Sequence, residues 1–318
     1  MKIAVLDDWQ LVARKSADWS FLEERAELSF FHEPFGSEDE AARRLQPFDI
    51  IMAMRERTPF PSSLIARLPA LKLFNLTGHR AKLIDMAAMQ ARGIIVTTTG
   101  GGDSGTATAE LALALMLGAA RCLASGDAAI RRGTFQSGTS AGFELAGKTL
   151  GIIGLGRIGQ RVARYGAALG MEILAWSQNL DADQAVAGGA RYAAKAELLV
   201  SCDVISLHLV FSERTAHVLD AAAFALMKPG AILVNTARAG LIEPASLLAA
   251  LHANRIFAAL DVFDAEPLPP GDPLLAAPNT LLTPHVGYGT RETFREFYAQ
   301  SVANVTAFLN GTLATPKL

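Results

Sequence analysis

Residues 147–159 read GKTLGIIGLGRIG, and the helical pattern QRVARYGAALG follows directly behind them. The apolar stretch KTLGIIGL reads as a strand, and the glycines at 154, 156 and 159 punctuate the turn into a helix. In that strand–turn–helix setting the GxGxxG spacing gives each glycine a task. Gly154 makes the tight turn, Gly156 lets a pyrophosphate approach the backbone, and Gly159 lets helix and strand pack closely. Unpaired N–H groups at the helix start then face the phosphates. A plain strand-to-helix turn would not need the third glycine. The stretch predicts a dinucleotide-binding unit.

On both sides of it, short apolar runs alternate with helix-length segments. Before it come KIAVL (2–6), DIIMAM (49–54), LKLFNL (71–76) and GIIVTT (93–98), then a helix expected over roughly 105–125. After it come MEILAW (171–176), DVISLHL (203–209), AILVNTA (231–237), IFAALDVF (256–263) and NTLLTPH (279–285). Strands spaced in this way imply βαβ units. The fold class is therefore α/β, with two Rossmann-like or flavodoxin-like units built on parallel sheets. The cluster GGGD at 100–103 separates the two series. The tail TRETFREFYAQSVANVTAFLNG is amphipathic, with Phe294, Phe297, Val302, Val305 and Phe308 toward one side, and is expected to pack back on the first unit. The expected domains are 1–100 plus 290–318, and 101–289 inserted between them.

Composition narrows the function classes. The 318 residues carry a formal net charge of −2, which provides no footprint for nucleic acid. Cys122 and Cys202 belong to no CxxC or Cys/His cluster, so neither a metal site nor a disulfide framework is expected. A reducing cytoplasm is the expected compartment. The N-terminal apolar run is too short for a signal-peptide core. The segment AELALALMLGAA (109–120) contains Glu110 and is closed by Arg121, so it reads as a buried helix and not as a membrane span.

Two further readings concern the site. About 20 residues past the glycine loop, an NAD site places an acid on the adenosine ribose. Here the stretch is AWSQNLDADQ: Trp176, Ser177, Gln178 and Asn179 are uncharged and Asp181 comes late. A carboxylate would repel the 2′-phosphate of NADP, whereas Ser177 and Gln178 can donate to it, so the reading leans toward NADP(H). The strand ends also carry a pattern. Arg238 follows AILVNTA, Asp264 and Glu266 follow IFAALDVF, and His285 closes NTLLTPH. Singly these residues read as a surface ion pair, a solvated acid and a packed histidine. Together, at the carboxyl ends of strands behind a dinucleotide loop, they read as chemistry.

With these segments in view, the chain resembles the D-isomer-specific 2-hydroxyacid dehydrogenase family, and within it the glyoxylate/hydroxypyruvate reductases. The matching segments are GKTLGIIGLGRIG (147–159), SLHLVFSERTAHVL (206–219), NTARAGLIE (235–243), DVFDAEPL (261–268) and TPHVG (283–287), which together with the rest span essentially the whole chain. The resemblance implies catalysis by Arg238, Glu266 and His285, with Asp261 near the nicotinamide amide and Thr108 on the nicotinamide side. It implies further NAD(P) contacts from Gly154, Gly156, Arg157, Ile158, Gly159, Ser177, Thr236 and Ala237. The loop LTGHRAKLID (76–85) is similar to the family's substrate-carboxylate loop, so His79 and Arg80 are expected to bind substrate with Arg238. The domain 1–100 plus 290–318 would then bind substrate and 101–289 the dinucleotide.

The implied reaction is reduction of a small 2-keto acid, such as glyoxylate or hydroxypyruvate, to the D-2-hydroxy acid in a homodimer, with no nucleic-acid or membrane partner. Arg238 would grip the carboxylate and carbonyl, and His285 would donate the proton. Glu266 would stabilise the imidazolium. The chain departs from the family at Ala239, where glycine is usual, and at His79–Arg80, where many members have small residues. Two alternatives share the architecture. One is a formate dehydrogenase-like enzyme, although those pair the histidine with glutamine. The other is a non-catalytic NAD-sensing, corepressor-like protein.

Overall fold

Apolar runs without polar alternation suit strands covered on both faces by helices. The computed structural model describes residues 1–78, 83–100 and 104–313, and it builds the runs into two parallel sheets. The first contains β1 (Lys2–Val5), β2 (Glu27–Phe30), β3 (Ile50–Ala53), β4 (Leu73–Leu76) and β5 (Ile95–Thr98), in the order β2-β1-β3-β4-β5. The second contains β6 (Thr149–Ile153), β7 (Glu172–Trp176), β8 (Arg191–Tyr192), β9 (Val204–Leu207), β10 (Ala231–Asn235), β11 (Ile256–Leu260) and β12 (Thr280–Leu282). Its order is β12-β11-β10-β9-β6-β7-β8, which reverses direction between β6 and β9 as in a doubly wound fold. The chain divides into two units, Met1–Asp103 with Gly289–Leu318, and Ser104–Tyr288.

In the second unit, alternation along β6 sends Ile152 and Ile153 to opposite faces. Ile153 joins Ile205, Leu233 and Ala258 in one core. Ile152 joins Val204, Val234 and Ala259 in the other, under the helix Ser104–Ala120 through Ala109, Ala112, Leu115 and Met116. That helix covers its apolar segment but stops short of the expected end near 125. The Phe143 N–H donates to the Ala120 carbonyl at 2.9 Å, and Cys122 turns left-handed at φ 53° before a new helix, Leu123–Arg131. The segment returning through Phe143 thus takes the end of the first helix. Among the described residues, no single helix is long and apolar enough to cross a membrane.

In the first unit, the helix Arg291–Leu309 starts on a Thr290 cap and packs on β4. Phe294, Phe297 and Val305 are buried, while Val302 and Phe308 are half-buried. The helix also satisfies a polar side chain inside the sheet. Asn75 of β4, fully buried, donates to Ser301 Oγ at 2.8 Å and accepts from Asn304 Nδ2 at 2.9 Å and from Thr97 Oγ1 at 3.0 Å. Of the GGGD cluster, Gly101–Asp103 lie outside the described residues. The Gly100 N–H donates to Gln300 Oε1 at 2.5 Å.

Asp7, just past β1, is buried. Its Oδ1 accepts from Thr58 Oγ1 at 2.8 Å, while Oδ2 has no partner among the described residues. Burial pushes its carboxyl up to about 6, against the pull of Thr58 and the Arg57 charge. The folded chain therefore keeps this proton to about pH 6, whereas the unfolded chain releases it near 3.8. Stability from this group is highest below 3.8 and falls as pH rises to 6. Asp7→Asn should remove that fall. Measured by urea unfolding, the stability of the variant relative to wild type should rise by roughly 3 kcal/mol between pH 3.5 and 7. A difference independent of pH would show that the carboxyl is not held in its acid form.

Candidate active site

The parallel register sets the site. Ile153 pairs with Trp176 and with Leu207, Leu207 with Asn235, Asn235 with Leu260, and Leu260 with Leu282. The last residues of β7, β6, β9, β10, β11 and β12 thus form one row. The next residues, Ser177, Gly154, His208, Thr236, Asp261 and Thr283, stand where an open α/β sheet binds its ligands.

The glycine loop leaves room for a dinucleotide. Gly154 is left-handed at φ 103°, and a Cβ there would lie 2.7 Å from the His208 carbonyl carbon. A Cβ on Gly159 would lie 2.2 Å from the Gly154 carbonyl oxygen, so only glycine lets the helix Arg157–Ala168 sit so close. Above Gly156 an added Cβ would meet nothing within 4 Å, and no side chain caps that helix. Its first N–H groups therefore have no capping side chain among the described residues, as an anion site needs. Thr236 adds a buried hydroxyl without a partner among the described residues. A pyrophosphate fits this cradle of Gly154, Gly156, Arg157, Ile158 and Gly159. Arg157 is exposed and Ile158 packs toward the core of Leu155 and Val162. Beside the loop, burial pushes the His208 imidazole down to about 4, so it is neutral in its 2.8 Å contact with Ser206 Oγ.

Ser177 is half-buried directly after β7. The late acid, Asp181, is engaged elsewhere: it caps the helix Ala182–Ala187, accepting from the Gln184 N–H at 2.8 Å in a capping box.

Across the row, Arg238, Glu266 and His285 leave three adjacent strands, β10, β11 and β12. The fully buried Asn235 braces the first turn, with Oδ1 accepting from the Ala237 N–H at 3.0 Å and Nδ2 donating to the Arg238 carbonyl at 2.9 Å. The Arg238 guanidinium donates to the Ala237 carbonyl at 2.7 Å. Glu266 Oε1 accepts from the Phe263 N–H at 3.0 Å, and its Oε2 lies 2.5 Å from His285 Nδ1. About four-fifths of each of these two side chains is covered, with 19% of His285 and 20% of Glu266 exposed, so the pair interacts with little solvent screening. The Tyr288 ring meets the imidazole edge-on at 6.2 Å.

Asp261 holds this loop in place. Only 1% exposed, it accepts from Thr283 Oγ1 at 2.7 Å and from the N–H groups of Val286 and Gly287 at 2.9 and 2.8 Å. Burial pushes its carboxyl up, and these donors oppose the shift. His285 sits between the anchored residues at φ 52°, a conformation costly for a side chain with a Cβ and kept only by its surroundings. Thr108 adjoins the same loop, its methyl 3.4 Å from where a Gly287 Cβ would stand. His79 and Arg80 lie outside the described residues. Asn235 and Thr283 begin two of the matched segments, but their bracing roles and the ring contact of Tyr288 carry no signal there, because they arise from what the fold sets opposite each side chain.

The chain belongs to the D-isomer specific 2-hydroxyacid dehydrogenases, whose NAD-binding domain matches residues 113–287. It is 37% identical over 257 residues to D-3-phosphoglycerate dehydrogenase of Archaeoglobus fulgidus, covering 80% of this chain and 48% of that protein. It is 38% identical over 256 residues to glyoxylate reductase of Aeropyrum pernix, covering 78% and 76%. The crystal structure of a phosphoglycerate oxidoreductase from Vibrio cholerae superposes with a TM-score of 0.92 at 37% identity, covering 98% of this chain and 99% of that one. The chain thus spans about half the length of the phosphoglycerate dehydrogenase it matches. The resemblance read from the motifs holds.

Asp261→Asn tests the anchor. Asparagine keeps one acceptor but turns a donor toward the Val286–Gly287 amides. The variant should lose about 1–3 kcal/mol of stability and the exchange protection of the Gly287 amide. Unchanged hydrogen exchange over 283–288 would mean that other contacts hold the loop.

Proposed function

We propose that the protein is an NAD(P)H-dependent reductase that converts small 2-keto acids to D-2-hydroxy acids. The observation that carries this reading is the 2.5 Å contact between Glu266 and His285, on the sheet edge that also bears the glycine loop. When bound, the reduced nicotinamide supplies the hydride. Negative charge then develops on the substrate's carbonyl oxygen, and His285, protonated, neutralises it with a proton from Nε2. Glu266 orients the ring through Nδ1 and stabilises the imidazolium. Arg238 presents a planar fork of donors to the carboxylate and carbonyl, with its backbone braced by Asn235.

The glutamate favours this reaction over formate oxidation, which releases no alcohol proton. The relative named glyoxylate reductase makes glyoxylate the first substrate to assay, with hydroxypyruvate, which the motif resemblance implies, beside it. The absence of an acid at Ser177 supports use of NADPH. The exposed Leu123, Ile130 and Phe135, on and just after the helix Leu123–Arg131, support a homodimer formed through that arm.

His285→Ala should abolish keto-acid reduction while leaving dinucleotide affinity nearly unchanged, read by stopped-flow turnover and by fluorescence titration. Turnover close to wild type would return the histidine to a packing role. Arg238→Lys should lose most of its kcat, because a point charge cannot reproduce bidentate contacts. A modest rise in KM alone would reduce Arg238 to substrate steering. Ser177→Asp should swing the kcat/KM ratio toward NADH by roughly tenfold to a hundredfold, the range that about 1–3 kcal/mol of charge repulsion supplies. An unmoved ratio would mean that another residue reads the ribose.

A further inference from the structure

The adenosine end of the crevice presents no free carboxylate from β7. Ser177, Gln178 and Asn179 are neutral, and Asp181 is committed to its helix cap. A cation arrives from another strand. Gln178 Nε2 donates to the Arg214 carbonyl at 2.9 Å, so the loop that follows β9 reaches past β6 to the residues that follow β7. That loop is internally braced. Thr215 Oγ1 accepts from the Ser212 N–H at 2.8 Å and donates to the Val210 carbonyl at 2.8 Å, and the Ala216 N–H donates to the Ser212 carbonyl at 2.9 Å. Arg214 itself is exposed, and no carboxylate pairs with it among the described residues.

A dinucleotide on the glycine loop straddles the switch point, with one nucleotide on the β7 side. We infer that Arg214, held beside Gln178 and Ser177 by the Gln178–Arg214 bond, forms a subsite for the 2′-phosphate of NADP(H). The inference rests on the reading that the glycine loop binds a dinucleotide. The chemistry is complementary. A 2′-phosphate carries close to two negative charges and strong acceptor oxygens, and a guanidinium meets it with a fork of donors. The Ser177 hydroxyl adds a donor. Gln178 acts as a positioning residue, because its amide nitrogen is spent on the Arg214 carbonyl. The cation therefore stands 37 residues beyond the acid position of the usual fingerprint, on the loop that follows β9 and not on the one that follows β7.

The test is calorimetric titration of the full chain with 2′,5′-ADP, 5′-ADP and inorganic phosphate, none of which carries a nicotinamide. Wild type should bind 2′,5′-ADP at least tenfold more tightly than 5′-ADP. Arg214→Ala should bring the two affinities within about twofold by weakening 2′,5′-ADP alone, and Arg214→Glu should reverse the preference. Arg214→Lys should restore part of it. Gln178→Ala should weaken 2′,5′-ADP by a smaller factor, and the advantage of 2′,5′-ADP should shrink with added salt in wild type more than in Arg214→Ala. Because Arg214 is exposed, its variants should keep the wild-type Tm. A wild-type ratio near one, or a ratio that Arg214→Glu leaves unchanged, overturns the subsite while 5′-ADP binding keeps the dinucleotide reading intact. Inorganic phosphate competing as well as 2′,5′-ADP makes it a general anion site and also overturns it. Binding of neither nucleotide overturns the underlying reading as well.

Discussion

Everything at the site depends on strands that end at one level. In a parallel sheet the side-chain period is two, so a slip of one residue in β11 would turn Asp261 from its loop to the opposite face. Leu260 pairs with both Asn235 and Leu282, and that pairing lets Asp261 reach the amides behind Thr283. The same row puts Gly154 against His208 and sets Ser177 on the far side of β6. The geometry of the candidate site is first a matter of register and only then of individual side chains.

The polar residues nearest the row serve mainly as braces. Asn235 and Asp261 are almost wholly withdrawn from solvent, and each spends its acceptors on backbone N–H groups or a hydroxyl. A buried carboxylate or amide is costly unless so satisfied, and a satisfied one fixes its surroundings in one arrangement. Arg238 and His285 stand on turns made rigid by these neighbours. That division lets the histidine occupy a backbone conformation it would otherwise avoid and leaves its imidazole to face Glu266.

The long apolar strands were legible because burial on both faces writes itself into composition. β2 and β8 were not: ELSF is an edge strand with no buried residue, and Arg191–Tyr192 is two exposed residues long. The helix expected to run on to about 125 stops at Ala120, because a non-local amide from Phe143 claims its end, a contact no periodicity encodes. At the site, Arg238, Glu266 and His285 could be read because chemistry-bearing residues behind apolar strands stand out. Thr283 and Asn235 look like ordinary strand ends, and their value lies in what the fold sets opposite them, the Asp261 carboxylate for Thr283 and the Ala237 amide for Asn235.

The chain order of the first unit has a consequence for biosynthesis. Asn75, in the interior strand β4, reaches its partner Ser301 across 226 residues of sequence. At ribosomal speeds of 5–20 residues per second, that interval lasts roughly ten to forty-five seconds. Throughout it the nascent N-terminal sheet must carry an uncovered apolar face and an Asn75 amide still lacking its Ser301 and Asn304 partners, while the contiguous segment Ser104–Tyr288 emerges and can fold as a whole. The first unit to leave the ribosome is thus the last to be completed. In the cell, its exposed sheet is where chaperones would be expected to engage the growing chain.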